Sequence, residues 1–156
     1  MTPIYHIQIP KSNIDVWAKL ESHNPTGTHK DRSMWPWIAQ YAKRGIKELA
    51  ISSSGNSAIS AAKICGELGI KLHVFVSPRI DAAKLIRIRE YKNIFLYTTK
   101  TPNKDAFQFC KTRGIPNLRA SRDDAALEGY KEIAYELAKQ LPNADNIFIP
   151  TSSGAT

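Results

Sequence analysis

Residues 48–76 read ELAISSSGNSAISAAKICGELGIKLHVFV. Two short apolar runs, Glu48–Ser52 and Lys71–Val76, flank a longer segment that opens at Asn56 or Ser57 and stops at Gly69. Runs of this length bounded by turn residues read as buried strands, and the segment between them has the length of a helix. Strand, helix and strand in this order predict two parallel strands joined by a crossover helix. The loop between the first strand and the helix, Ser52–Ser57, carries four serines, one glycine and one asparagine.

The alternation continues toward the carboxyl end. Pro78 follows the second strand, and Asp81 is placed to cap a helix to about Tyr91. Asn93–Thr98 reads as a strand. Asn103 or Asp105 opens a helix to about Arg113, which Gly114 ends. Ser121 and Asp124 make a capping-box-like start. The helix after them carries Leu127, Tyr130, Ala134, Leu137 and Leu141, a regular apolar stripe expected to be core. Asn146–Ile149 is expected to be the last strand, with Pro150–Thr156 a loop.

On the amino side, Ile4–Ile9 and Val16–Glu21 read as strands and Asn24–Gly27 as a turn. A helix is expected over roughly Arg32–Lys43, with Met34, Trp37, Ile38 and Tyr41 on one face and Gly45 beyond its end. Pro36 must lie in its first turn or kink it. The whole predicts an α/β fold with a parallel sheet flanked by helices. Ligands bind such sheets beyond the carboxyl ends of the strands, where the Ser52–Ser57 and Thr151–Thr156 loops lie.

A chain of 156 residues fits one ordinary domain with a real core. No apolar run reaches the ~20 residues of a membrane span, and Met1–Pro10 lacks the basic-then-apolar pattern of a secretory signal. A cytoplasmic location without membrane partners is therefore expected. The formal charge of +8 invites a nucleic-acid reading. The basic residues are scattered, however, and neither Lys84, Arg87 and Arg89 nor Lys43, Arg44 and Lys47 is interleaved with stacking aromatics. No nucleic-acid partner is expected. Cys65 and Cys110 lack metal-ligand spacing. Two buried thiols are the simplest reading, with one disulfide the alternative, and no metal is expected.

Residues 24–32 read Asn-Pro-Thr-Gly-Thr-His-Lys-Asp-Arg, a tight polar turn that sets one lysine at the mouth of a helix. This segment resembles the lysine segment of the fold-type II pyridoxal-phosphate (PLP) enzymes, the threonine synthase, cysteine synthase and tryptophan synthase β group. Ser52–Ser57 is similar to the Ser-Ser-Gly-Asn loop of the same family, and Leu127–Glu136 resembles a helix of threonine synthases. The stretch Ile147–Thr156 stands where the family has its Gly-rich phosphate loop, but with Ser152 and Ser153 where glycines are usual.

The resemblance implies a set of roles. Lys30 would be the catalytic lysine, bonded to pyridoxal 5′-phosphate. Asn56 would contact the cofactor's 3-hydroxyl. Ser53, Ser54, Gly55 and Ser57, with Thr26, would hold the substrate α-carboxylate. His29, together with Ser152, Ser153, Gly154, Ala155 and Thr156, would lie at the cofactor phosphate. Asp31 and Arg32 would be structural, through helix capping and an ion pair. Residues 1–35 would belong to a large domain, 36–141 would form the small α/β domain, and 142–156 would begin the large domain again. Most of that large domain is not represented, so association with a missing C-terminal half or a homodimer is expected. The implied activity is elimination or replacement at the β- or γ-carbon of a small amino acid, most like threonine synthase. Cysteine synthase, a serine/threonine dehydratase and a non-catalytic PLP- or phosphate-binding remnant stand as alternatives.

Overall fold

The computed structural model describes residues 1–11, 14–119 and 123–150. It begins with an antiparallel hairpin of β1 (Ile4–Gln8) and β2 (Asp15–Lys19), in which Ile4 faces Lys19. The first helix, α1 (Lys30–Lys43), follows a short 3₁₀ turn at Glu21–His23. Three βα units come next: β3 (Glu48–Ser52) with α2 (Asn56–Leu68), β4 (Lys71–Val76) with α3 (Ala82–Arg89), and β5 (Ile94–Thr98) with α4 (Pro102–Arg113). Two shorter helices close the series, α5 (Ala125–Glu128) and α6 (Lys131–Gln140).

Strands β3, β4 and β5 form one parallel sheet in that order, with Leu49 beside Leu72 and Leu72 beside Ile94. Side chains alternate across a strand, and the sequence exploits this cleanly. Leu49, Ile51, Leu72, Val74 and Val76 point to one face, against Met34, Trp37, Ile38, Ile59 and Ile88 of α1, α2 and α3. Ala50 and Phe75 point to the other, against Ala106 and Cys110 of α4. The sheet is therefore covered on both faces, as expected for parallel strands. Each fully buried Leu or Ile contributes about 2–3 kcal/mol over leaving it in water, so the α1/α2/α3 face dominates stability.

The helix signals act as the sequence indicates. Asp81 Oδ1 accepts from Lys84 N at 3.1 Å and caps α3. Pro102 occupies the first turn of α4, and the Asp105 carboxylate accepts from Thr101 Oγ1 at 3.1 Å. Gly69 and Gly114 end α2 and α4 in the left-handed region, at φ +68° and +66°. Pro36 departs from its expected place: α1 starts at Lys30 and not near Arg32, so Pro36 falls in the second turn and not the first.

Three further expectations are corrected, and one pairing is added. Asn146–Ile149 is not a strand: it makes no ladder pairing with the described strands, and Phe148 is 91% exposed. Apolar β-branched residues set a propensity, but a strand exists only against a partner edge. The helix expected from Ser121 onward is two helices broken at Gly129–Tyr130; Ser121 lies outside the described residues. The stripe Leu127, Tyr130, Ala134, Leu137 and Leu141 is not continuous core. Tyr130 is buried, whereas Leu127 and Ala134 are exposed and α6 buries no residue fully. Polar contacts, described below, hold α6 instead. Lastly, Ile115–Leu118 received no assignment, yet Ala50 N donates to Pro116 O and Leu118 N to Ala50 O, adding a short parallel bridge beside β3.

Candidate active site

The site begins with the turn before α1. Asn24 O accepts from Gly27 N at 2.8 Å, Pro25 takes the second position, and Gly27 has φ +77°, where a side chain is strained. The Asp31 carboxylate reaches back over this turn, accepting from Thr26 N and Thr26 Oγ1, each at 2.6 Å. Thr26, Thr28 and Asp31 are all buried. Arg87 Nη2 of α3 donates to Thr26 O at 2.8 Å. The turn is thus locked to two helices, and Lys30 is fixed as the first residue of α1. The boundary expected at residues 35 and 36 falls inside this helix.

Lys30 Nζ donates to Tyr130 Oη at 3.1 Å. Tyr130 is 9% exposed, and its ring lies 5.9 Å from that of His29. Burial, and then the positive charge of Lys30, hold the His29 imidazole below its ordinary pKa of 6.5. The ring is neutral at neutral pH. In the sequence Tyr130 stands only as one member of an apolar stripe. Periodicity marks which face of a helix turns inward, not what it meets there.

Arg32 anchors the helix start from the other side. It donates to Glu21 through Nε and Nη2, at 3.0 and 2.9 Å, and to Glu136 through Nη1 and Nη2, at 2.6 and 2.9 Å. Lys19 Nζ also bonds Glu136, and Thr2 N donates to it at 3.1 Å. Hydrogen bonds from Arg32, then Lys19 and Thr2, outweigh burial and hold the Glu136 carboxyl well below the carboxylate range. The same pairing raises the already high Arg32 pKa further. This cluster joins Thr2 ahead of β1, Lys19 of β2, Glu21 of the 3₁₀ turn, α1 and α6, and gives Arg32 its structural part.

The second half of the site is the loop from β3 to α2. Gly55 stands at the N-cap in an extended conformation, with no side-chain cap. Gly55 N donates to Ser53 Oγ at 3.2 Å, and Ser54 Oγ accepts from Ser77 N at 3.4 Å. Asn56 is exposed and Ser57 half-buried. A cavity of about 290 Å³ opens at this end of β3, lined by Ser53 and Ser57, by Asn103, Asn117 and Arg119, and by Met34, one turn beyond Lys30. It brings Met34 of the lysine helix and part of the serine loop to one space; Lys30, His29, Thr26, Ser54, Gly55 and Asn56 do not line it. Thr26 Oγ1 is engaged by Asp31, and Ser152, Ser153, Gly154, Ala155 and Thr156 lie outside the described residues. Among the described residues, no cluster of three or more His, Cys, Asp or Glu could hold a metal, and no helix is long and apolar enough to cross a membrane.

A doubly covered parallel sheet, with a lysine-bearing helix start and a serine-rich helix start at its carboxyl edge, defines an α/β domain of the fold-type II PLP class. The chain matches, over residues 1–156, the family model described as pyridoxal-phosphate dependent enzyme, and it belongs to that family, whose cofactor is pyridoxal 5′-phosphate. It is 28% identical to a threonine synthase of Bacillus sp. (strain ULM1), over 86% of this chain and 39% of that protein. It is 29% identical to cysteine synthase B of Escherichia coli (strain K12), over 93% of this chain and 45% of that protein. Among solved structures, a pyridoxal 5′-phosphate-dependent aspartate racemase matches with a TM-score of 0.89 at 23% identity, over 99% of this chain and 50% of that one. An O-ureido-L-serine synthase matches with a TM-score of 0.79 at 22% identity, over 92% and 49%. The chain spans about half the length of these relatives or less.

Proposed function

We propose that this chain supplies the lysine-bearing part of a PLP-dependent lyase that eliminates or replaces a group at the β- or γ-carbon of a small amino acid, in the manner of threonine synthase. One observation carries the reading. Met34, a turn beyond Lys30, and Ser53 and Ser57, at the uncapped start of α2, line a single cavity at the carboxyl end of β3.

In this reading Lys30 binds the cofactor and, once free, moves the substrate α-proton through Nζ. The cofactor supplies the electron sink for the resulting carbanion. Asn56 orients its ring hydroxyl. The start of α2 favours an anion through unsatisfied backbone N–H groups and the helix dipole, so Ser53, Ser54, Gly55 and Ser57 hold the substrate α-carboxylate. Thr26, whose N–H and hydroxyl both donate to Asp31, shapes the turn on that side. His29, neutral and beside Lys30, and residues 152–156 attend the cofactor phosphate. Ile51 and Met34 give the cavity an apolar wall.

A cysteine synthase-type replacement is the second reading, because the cysteine synthase B of E. coli is as similar to this chain as the threonine synthase is. The test is to add PLP to the purified protein, reduce with borohydride and map the labelled peptide. Turnover is then compared on O-phosphohomoserine, O-acetylserine, serine and threonine. Label on Lys30 with phosphate release from O-phosphohomoserine supports the first reading. Label on another lysine, such as Lys63, overturns both.

A further inference from the structure

We propose that the Tyr130 hydroxyl is the resting partner of the Lys30 amine, the position the amine occupies in the cofactor-free chain. The inference rests on reading Lys30 as the reactive lysine. It makes Tyr130 a positioning residue, acting through Lys30.

Three features carry it. The contact is direct, with Nζ to Oη at 3.1 Å and Nζ 5.4 Å from the ring centroid. The tyrosine is held firmly: it is 9% exposed, Tyr130 N donates to Leu127 O at 3.0 Å, and Gly129 before it packs on the Arg32 backbone two residues from Lys30. The chemistry of the partner also suits an amine that must change protonation state. A phenol accepts from an ammonium group and donates to a neutral amine. A carboxylate would favour the charged form, which is not nucleophilic. A phenol keeps its contact through both, so the amine is released and recovered at one place.

The test is competitive reductive methylation of the cofactor-free chain by limiting formaldehyde and cyanoborohydride. The ratio of label on Lys30 to label on the exposed Lys47 is read by peptide mass spectrometry. Tyr130→Phe keeps the ring and removes the hydroxyl, so the ratio should rise about fivefold, the value of one lost hydrogen bond, with the melting temperature lowered by only a few degrees. Tyr130→Gln, whose amide both accepts and donates, should bring the ratio back toward wild type. An unchanged ratio in Tyr130→Phe overturns the proposal. So does a rise that Tyr130→Gln does not reverse, since that reports access alone. Should Tyr130→Phe fail to fold, the ¹³Cζ resonance of Tyr130 in wild type and in Lys30→Met decides: a shift supports the contact, and coincident resonances overturn it. Cofactor attachment at a different lysine would remove the role of Lys30, whereas an unchanged labelling ratio removes that of Tyr130 alone.

Discussion

Gly129 lies so close to the backbone of Arg32 that an added Cβ would stand 1.7 Å from the Arg32 carbonyl oxygen and 2.9 Å from Cγ of Pro36. Its φ of −68° suits any residue, so glycine is required here by space and not by conformation. This close approach seats the α5–α6 junction on α1 and delivers Tyr130 to Lys30. Backbone atoms cannot yield as a side-chain tip can. Gly129→Ala should therefore cost about 3 kcal/mol, the upper end for an overpacked site, measured by urea denaturation. A loss within experimental error would show that α5 can move away freely.

Arg32 should be the most costly charged residue to remove. Its side chain is 7% exposed and pairs with Glu21 and Glu136, with Glu132 3.7 Å from Nη1. Among the described residues, Arg32→Met leaves Glu21 partly buried without a cation and Glu136 with Lys19, and breaking such a pair from one side costs roughly 3–5 kcal/mol. Lys63→Met, which breaks only the i,i+4 pair with Glu67 on α2, should cost less than about 0.5 kcal/mol. Equal losses in the two variants would contradict the ranking.

Stability should fall with pH in two stages. Burial holds His29 and His73 below the ordinary value of 6.5. As pH falls through 6.5 the unfolded chain takes up protons before the folded one, and stability drops. The carboxylates govern the second stage. Burial works against Glu21, but hydrogen bonds from Arg32, Thr2 and Asn24 outweigh it, and Glu136 is lowered more strongly, by Arg32 first. Their contribution is intact above the unfolded value of 4.5 and is lost as pH falls below it. Urea midpoints across this range test the pattern. His29→Gln together with His73→Gln should flatten the first stage and leave the second.

Cys65 and Cys110 are both free and buried. Burial pushes the Cys65 thiol up to about 12 and the Cys110 thiol up to about 11. Neither should react with a disulfide reagent in the native protein at mildly alkaline pH, and both should react once it is unfolded. Fast labelling of the native chain would mean that α2 or α4 opens locally.

Asn56→Ala should leave covalent attachment at Lys30 intact and weaken cofactor binding about tenfold to a hundredfold, the range for one lost buried hydrogen bond. The measurement is PLP titration by absorbance. A variant that binds PLP like the wild type would take Asn56 out of the cofactor contact.

The layers of this protein are written locally along the chain. The β4 strand, the α2 helix and the glycines that end α2 and α4 are set by contacts within a few residues, so their boundaries were legible. So were the two covered faces of the sheet, because alternation along a strand is local. The same holds for the turn at Asn24–Gly27 and for the segments that carry the family resemblance. Tertiary structure alone decided what crosses between segments. The Ile115–Leu118 bridge needs the edge of β3, and Pro116 hides it from any strand pattern. Asn146–Ile149 has strand-forming residues but pairs with none of the described strands. The α6 stripe reads as core, yet the Arg32–Glu136–Lys19 cluster holds that helix, and no periodicity encodes an ion pair spanning more than a hundred residues. Tyr130 meets Lys30 only because Gly129 lets two helices touch at the backbone, a contact set by the absence of one carbon atom and visible only once both helices are in place.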